Sequence, residues 1–249
     1  MRNREMIILV ICSLCFVSVA AQDTSARSQV IKLLERVKQT YRQPAPFQMT
    51  VGYYYASENS PSAYIDSLKG ELTLWGSSYR VRMPAVETIV NEQYSVTLFE
   101  SDKLMYLAKP AAIAGQNPLA SADSLLQTMK GVSYSIRDTA TVQQATLEFS
   151  EPSPYKRIVF LVDTASGYLL QSKLWVKSSY MLPELQGNSL AKEGFTEYSI
   201  VETRLSDYKK PLLPAGYFDD KQFFIRTGNE FNVTEAYRNY KIFVATPNL

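Results

Sequence analysis

From residue 47 onward, apolar and polar positions alternate with a period of two. Phe47, Met49, Val51, Tyr53 and Tyr55 interleave with Gln48, Thr50, Gly52 and Tyr54. That spacing places the two sets on opposite faces of a strand. Leu72 and Leu74 alternate with Glu71 and Thr73, and Tyr79, Val81 and Met83 with Arg80 and Arg82. Tyr94, Val96 and Leu98 come next, then the turn residues Ser101-Asp102-Lys103, then Leu104 and Tyr106. Further strands are predicted over residues 132–137, 145–150, 157–163, 168–177 and 195–205. Thr164-Ala165-Ser166-Gly167 divides two of them as a hairpin turn with a late glycine. Residues 222–226 and 237–244 are strand candidates in the tail. Regular turn signals between short alternating runs predict a mainly β fold built on an antiparallel sheet. Residues 57–66 are polar and predicted as a loop.

Helical periodicity is confined to two places. Val30, Leu33, Leu34, Val37 and Tyr41 recur at i, i+3, i+4, i+7 and i+11, with Lys32, Glu35, Arg36 and Lys38 on the other face and Pro44 and Pro46 beyond. Such a helix covers a core or the mouth of a sheet. A second helical stretch is expected near residues 110–130, where Ser121 or Asp123 could cap a segment bearing Leu125, Leu126 and Met129. The long connection over residues 178–194 carries Met181, Leu182, Leu185 and Leu190. Apolar residues there mark either a binding lip or partner contact, or a loop folded onto the core.

The first twenty-odd positions break this pattern. Arg2 and Arg4 precede an apolar run from Met6 to Val19, which ends in Ala20-Ala21 before Gln22-Asp23. That order is the export-signal pattern, with cleavage expected near Ala21, and the run is short for a membrane span. Both cysteines, Cys12 and Cys15, lie inside it, and the 249 residues contain no histidine. A chain without residues 1–21 therefore has no disulfide, no thiol nucleophile, no cysteine–histidine metal site and no Ser-His-Asp triad. Net charge is +2 without a basic block, so no electrostatic footprint for nucleic acid is present. One domain is expected over residues 22–210. Residues 211–249 are expected as a C-terminal extension packing on that domain.

Three motifs imitate enzymes. Ser153-Pro154-Tyr155-Lys156 matches S-x-x-K, with Arg226-Thr227-Gly228 as a faint later K-T-G. The prolines, however, place that serine in a loop. Asp163-Thr164-Ala165-Ser166 imitates an aspartic-protease signature, but no second aspartate motif exists to share its proton. Asp219-Asp220 is most simply a solvated loop. The expectation is a protein without catalysis, cofactor or metal.

The order of elements resembles the bacterial outer-membrane lipoprotein carriers, the LolA-like proteins, across residues 28–210. The resemblance runs through the opening helix and first strand, Gly70-Glu71-Leu72-Thr73-Leu74-Trp75, Tyr79-Arg80-Val81-Arg82-Met83, the Ser101-Asp102-Lys103 hairpin ending in Pro110, and the hairpin over residues 160–174. The chain departs from that pattern at Gly76-Ser77-Ser78, where the carriers often have a basic residue, and in its longer tail. The resemblance implies an incomplete barrel: a curved antiparallel sheet with helices covering an apolar concave side. It also implies a periplasmic carrier of lipid or lipoprotein acyl chains, with membrane-bound donor and acceptor proteins as partners. An envelope sensor, adaptor or scaffold of the same fold is the alternative. The residues expected to line the cavity are Phe47, Met49, Val51, Leu72, Leu74, Tyr79, Val81, Met83, Val96, Leu98, Leu104, Tyr106, Phe160 and Leu174, with Met181, Leu182 and Leu185 as the lid or partner loop. The same stripe could equally be a solid core beneath the helices, and periodicity does not separate the two.

Overall fold

The computed structural model describes residues 17–42, 45–110, 131–150, 152–181, 196–246 and 249, with side chains from residue 25 on. A helix, α1 (Val17–Tyr41), comes first. It starts well before the apolar stripe and runs unbroken through Ala21, the expected cleavage point. Strands follow as β1 (Phe47–Ser57), β2 (Tyr64–Trp75), β3 (Ser78–Arg82), β4 (Val86–Val90), β5 (Ser95–Phe99) and β6 (Leu104–Ala108). After residues 111–130 come β7 (Val132–Asp138), β8 (Val142–Phe149), β9 (Tyr155–Asp163) and β10 (Leu169–Lys177). A single helical turn, α2 (Ser178–Met181), and β11 (Tyr198–Lys209) complete the central part. The tail adds β12 (Phe224–Thr227), β13 (Glu230–Val233) and β14 (Lys241–Val244).

Twelve strands form one open sheet in the order β14-β6-β5-β4-β3-β2-β1-β11-β10-β9-β8-β7. Every pairing is antiparallel except β14 on β6, which is parallel. The tail thus contributes an edge strand that its hydrophobic pattern did not distinguish from a hairpin member. The sheet is curved and not closed into a barrel. Among the described residues, no helix is long and apolar enough to cross a membrane.

Several sequence expectations fail here: the strand candidate over residues 237–244 is a strand only over Lys241–Val244, and β13 was not anticipated. Residues 64–66 belong to β2 rather than to a loop, because β1 pairs with Asp66 at Tyr55 and with Tyr64 at Ala56, with a bulge at Ile65 between them. β4 was not anticipated, since Val86-Glu87-Thr88-Ile89-Val90 places its apolar side chains on both faces and so loses its alternation. The expected helix near residues 110–130 lies outside the described residues.

Helix α1 lies on the concave face. Val30, Leu33, Leu34 and Val37 are buried against Phe47, Met49, Val51, Leu147, Ile158 and Phe160. Each such side chain stabilises the packing by about 2 kcal/mol. The end of α1 is pinned by tyrosines. Tyr208 stacks on Tyr168 with centroids 4.1 Å apart and donates its hydroxyl to Leu169 O at 2.5 Å. Tyr41 therefore donates to Tyr208 Oη, at 2.6 Å. Burial outweighs the hydrogen bonds and pushes the Tyr41 phenol up to about 12. Tyr208 reaches this cluster because Asp207 adopts a left-handed conformation, φ 53°, at an irregularity in the β1–β11 register. The extra residue lets both Leu205 and Tyr208 face the helix. Gly167, φ 74°, completes the β9–β10 turn, and a Cβ there would lie 2.8 Å from Thr40 Oγ1.

A second core lies on the convex face. The tail brings Phe218, Phe223 and Phe224 onto Ile89, Tyr94, Val96, Leu98, Met105 and Leu107. Beneath it, the buried Glu87 carboxylate accepts from Arg80 Nε at 2.5 Å and pairs with Arg82 Nη2 at 3.0 Å. The Arg80 guanidinium lies 4.9 Å from the Tyr217 ring centroid. Asn91 Nδ2 donates to Phe218 O and Asp220 Oδ1, tying the tail to the end of β4.

Candidate functional site

Strand register defines the concave face row by row. Met49 opposes Leu72, Leu72 opposes Val81, Val81 opposes Thr88, Thr88 opposes Thr97, Thr97 opposes Tyr106, and Tyr106 opposes Phe243. Along this row exposure rises from 1% at Met49 and 8% at Leu72 to 54% at Phe243. The helix covers the start of the row and leaves its end open. A parallel row runs Val86, Phe99, Leu104, all half-buried. Phe99, Tyr106 and Phe243 form an aromatic ladder with centroids 5.3 and 4.9 Å apart. Thr88 and Thr97 hydrogen-bond each other at 3.1 Å, so the polar pair in the floor satisfies itself.

Met83 belongs to the same surface. Gly70 opposes Val51 on the concave side, and a Cβ on it would lie 2.5 Å from Met83 Sδ and against the Arg82 carbonyl. The missing side chain at Gly70 is what allows the thioether to lie over the sheet. The uncovered end is therefore an apolar surface made by Met83, Phe99, Leu104, Tyr106 and Phe243.

The expected cavity residues divide into three groups. Phe47, Met49, Val51, Leu72, Tyr79 and Phe160 are buried in the core that α1 fills, and Leu74 and Leu174 are half-buried against it. Met83, Leu104 and Tyr106 fall on the open end, and Val81, half-buried against the same core, borders it. Val96 and Leu98 do not face the concave side at all. They oppose Leu107 and Met105 and lie in the convex core under the tail. The turn fixes this: Lys103 is left-handed, φ 52°, and sets Phe99 opposite Leu104, so the odd member of one strand shares a face with the even member of the next. Leu104-Met105-Tyr106-Leu107 is apolar on both faces, and alternation alone could not choose between them. Phe99 and Phe243 were missed; the hairpin register could have found Phe99, while Phe243 depends on a parallel pairing without a local signal.

Met181 ends α2 and is half-buried, whereas Leu182, Leu185 and Leu190 lie outside the described residues. The base of that connection is tied. Ser178 Oγ donates to Thr196 O at 2.6 Å and lies 2.6 Å from Ser199 Oγ. A separate open cleft of about 360 Å³ lies beside the tail, between Trp75, Ser77, Ser78 and Glu92 on one side and Tyr217, Phe218 and Asp219 on the other. None of the expected cavity residues lines it.

The enzyme-like motifs have structural uses. Lys156 Nζ pairs with Glu58 at 2.6 Å, while Ser153 Oγ accepts from Tyr155 N at 3.1 Å. Asp163 accepts from Ser166 N and Oγ at 2.7 and 2.6 Å, which holds its carboxyl below the usual range. Arg226 lies over Phe231 and donates to Tyr94 Oη at 3.1 Å. Asp219 caps the turn at Lys221 N.

The architecture is a helix lying on the concave side of an open, curved, mainly antiparallel sheet. No family model matches the chain, and no curated protein matches it. Among solved structures it is similar to an uncharacterized conserved protein of Thermus thermophilus, at 9% identity over 83% of this chain and 98% of that one, TM-score 0.46. It is also similar to a LolA superfamily protein of Nitrosomonas europaea, at 10% identity over 76% and 97%, TM-score 0.34. A third likeness is to the MucA/MucB complex of Pseudomonas aeruginosa, at 15% identity over 82% and 62%, TM-score 0.29. These likenesses concern backbone arrangement; the chemistry of the concave face is this chain's own.

Proposed function

We propose that the protein works in the periplasm, after export and cleavage near Ala21, as a non-catalytic carrier that holds the acyl chain of a lipid or lipoprotein. One observation carries this reading. The concave face continues beyond the helix-filled core as a partly exposed surface of Met83, Phe99, Leu104, Tyr106 and Phe243, floored by the threonine pair Thr88 and Thr97, whose hydroxyls satisfy each other. A contiguous apolar surface of this kind marks a binding site. An acyl chain needs no hydrogen-bond partner, and each methylene removed from water contributes about 0.8 kcal/mol. Met83 supplies a flexible thioether that repacks around chains of different length. Tyr106 adds a flat ring with a polar tip.

Native mass spectrometry of the protein purified from the envelope tests the reading. Acyl lipid is expected to co-purify, and a fluorescent fatty acid is expected to compete with it. A protein that emerges lipid-free and fails to bind the probe would overturn the carrier function.

A second reading, an envelope sensor or adaptor, has its own supporting observation. The middle of the concave face is occupied by Val30, Leu33, Leu34 and Val37, so a deep cargo site requires α1 to move. Under that reading the lipid-free protein binds one envelope protein through the open end instead.

A further inference from the structure

Strand β2 is longer than the strand beside it. Residues 71–75 pair with β3, while the half from Tyr64 to Gly70 pairs with β1 alone among the described residues. β3 does not continue alongside, because the chain turns back at Met83, whose N–H donates to Val86 O at 2.8 Å. This leaves a slot within the sheet, in line with β3 and roughly 20 Å long. Every residue from Tyr64 to Lys69 is exposed, so the slot is open to solvent.

The free edge is already shaped as a strand. On the convex side Tyr64 packs on Tyr54 with centroids 4.9 Å apart, and the Arg204 guanidinium lies over both rings and donates to Tyr64 Oη. On the concave side Leu68 is exposed beside Gly70 and the Met83 thioether. Alternate residues of an edge turn their N–H and C=O outward. Ser67 N–H donates to the Asp66 carboxylate at 2.7 Å instead of to β1. That assigns the outward set to Ser67 and Lys69, the alternation being broken at Ile65 by the bulge opposite Tyr55 and Ala56, and makes Asp66 a guard that occupies an edge donor until something displaces it.

We propose that this slot takes an extended segment of a partner protein as an added strand in line with β3. A row of main-chain donors and acceptors is matched by another main chain, and alternate side chains then set specificity. Here the partner segment places an apolar residue on the concave side against Leu68 and an acidic residue opposite Lys69. An incoming carbonyl takes Ser67 N–H and releases Asp66.

The test uses the full chain. Random heptapeptides displayed on phage are selected on it, synthesised, and measured by fluorescence anisotropy. Ser67→Pro removes the outward N–H while sparing the β1 ladder. The selected peptides are expected to lose about tenfold or more in affinity on this variant, the effect of one or two lost main-chain bonds. The same loss is expected on wild type when alternate peptide nitrogens are methylated. Should Ser67→Pro fail to fold by circular dichroism, the methylated peptides decide alone. Peptides that bind Ser67→Pro as well as wild type, or that tolerate methylation, overturn the proposal. So does a selection that yields no binding peptide.

Discussion

Met83, just beyond β3, and Leu98, within β5, are apolar residues on opposite faces of the sheet, and Met83→Arg with Leu98→Ala separates the two roles. Met83 is half-buried at the open concave end. An arginine there can extend its aliphatic stem along the sheet and keep its head in water, so the fold loses about 1 kcal/mol or less. Binding loses more: a guanidinium in place of the thioether displaces two or three methylenes of a bound chain, about 2 kcal/mol at 0.8 kcal/mol each, which is roughly thirtyfold in affinity. Leu98 is 2% exposed within the convex core, among Val96, Met105, Leu107 and Phe223. An unpaired cation there costs about 3–5 kcal/mol, and even Leu98→Ala costs about 2–5 kcal/mol. Urea denaturation followed by tryptophan fluorescence gives the stabilities; titration with a fluorescent fatty acid gives the affinities. Met83→Arg is expected to unfold near the wild-type midpoint with weak binding. Leu98→Ala is expected to unfold far earlier and, while folded, to bind normally. A stable Leu98→Ala that no longer binds would mean that the cargo face and the core face have been exchanged.

Three further outcomes follow from other contacts. Burial pushes the Tyr41 phenol up to about 12 from the ordinary 10.0; the stability linked to its neutral form is intact below about pH 10 and is expected to be lost as pH rises to about 12, on the order of 3 kcal/mol. Tyr41→Phe is expected to be about 1 kcal/mol less stable at neutral pH and to show a shallower decline in alkaline urea titrations. Glu87→Gln leaves the Arg80 cation without its carboxylate under the tail, costing about 3 kcal/mol, and limited proteolysis within residues 212–217 is expected to accelerate; unchanged cleavage would detach the ion pair from tail docking. Gly167→Ala strains a left-handed turn and meets Thr40, so a loss of at least about 1 kcal/mol is expected by thermal unfolding.

Much of the fold is written in local pattern. The stripe Val30, Leu33, Leu34, Val37 is the face that α1 buries, and Phe47, Met49 and Val51 alternate because only one face of β1 meets that helix. Gly167 marked the β9–β10 turn correctly. What was illegible depends on partners distant in sequence. β4, β5 and β6 have a core on one face and the open row on the other, so their apolar residues do not alternate cleanly. The polar half of β2 is a strand only because β1 and the Arg204 side chain hold it. The proposed surface was partly legible for the same reason. Met83, Leu104 and Tyr106 lie on the open concave end as expected of a face, while Val96 and Leu98 were drawn in by a period that cannot tell faces apart across a turn.

A photoactivatable fatty acid reports directly on where an acyl chain lies. Cross-linking it to the purified protein and mapping the adducts by peptide mass spectrometry is expected to mark Met83, Phe99, Tyr106 and Phe243. Adducts confined to the tail-covered face, or none above the level of a denatured control, would contradict the account.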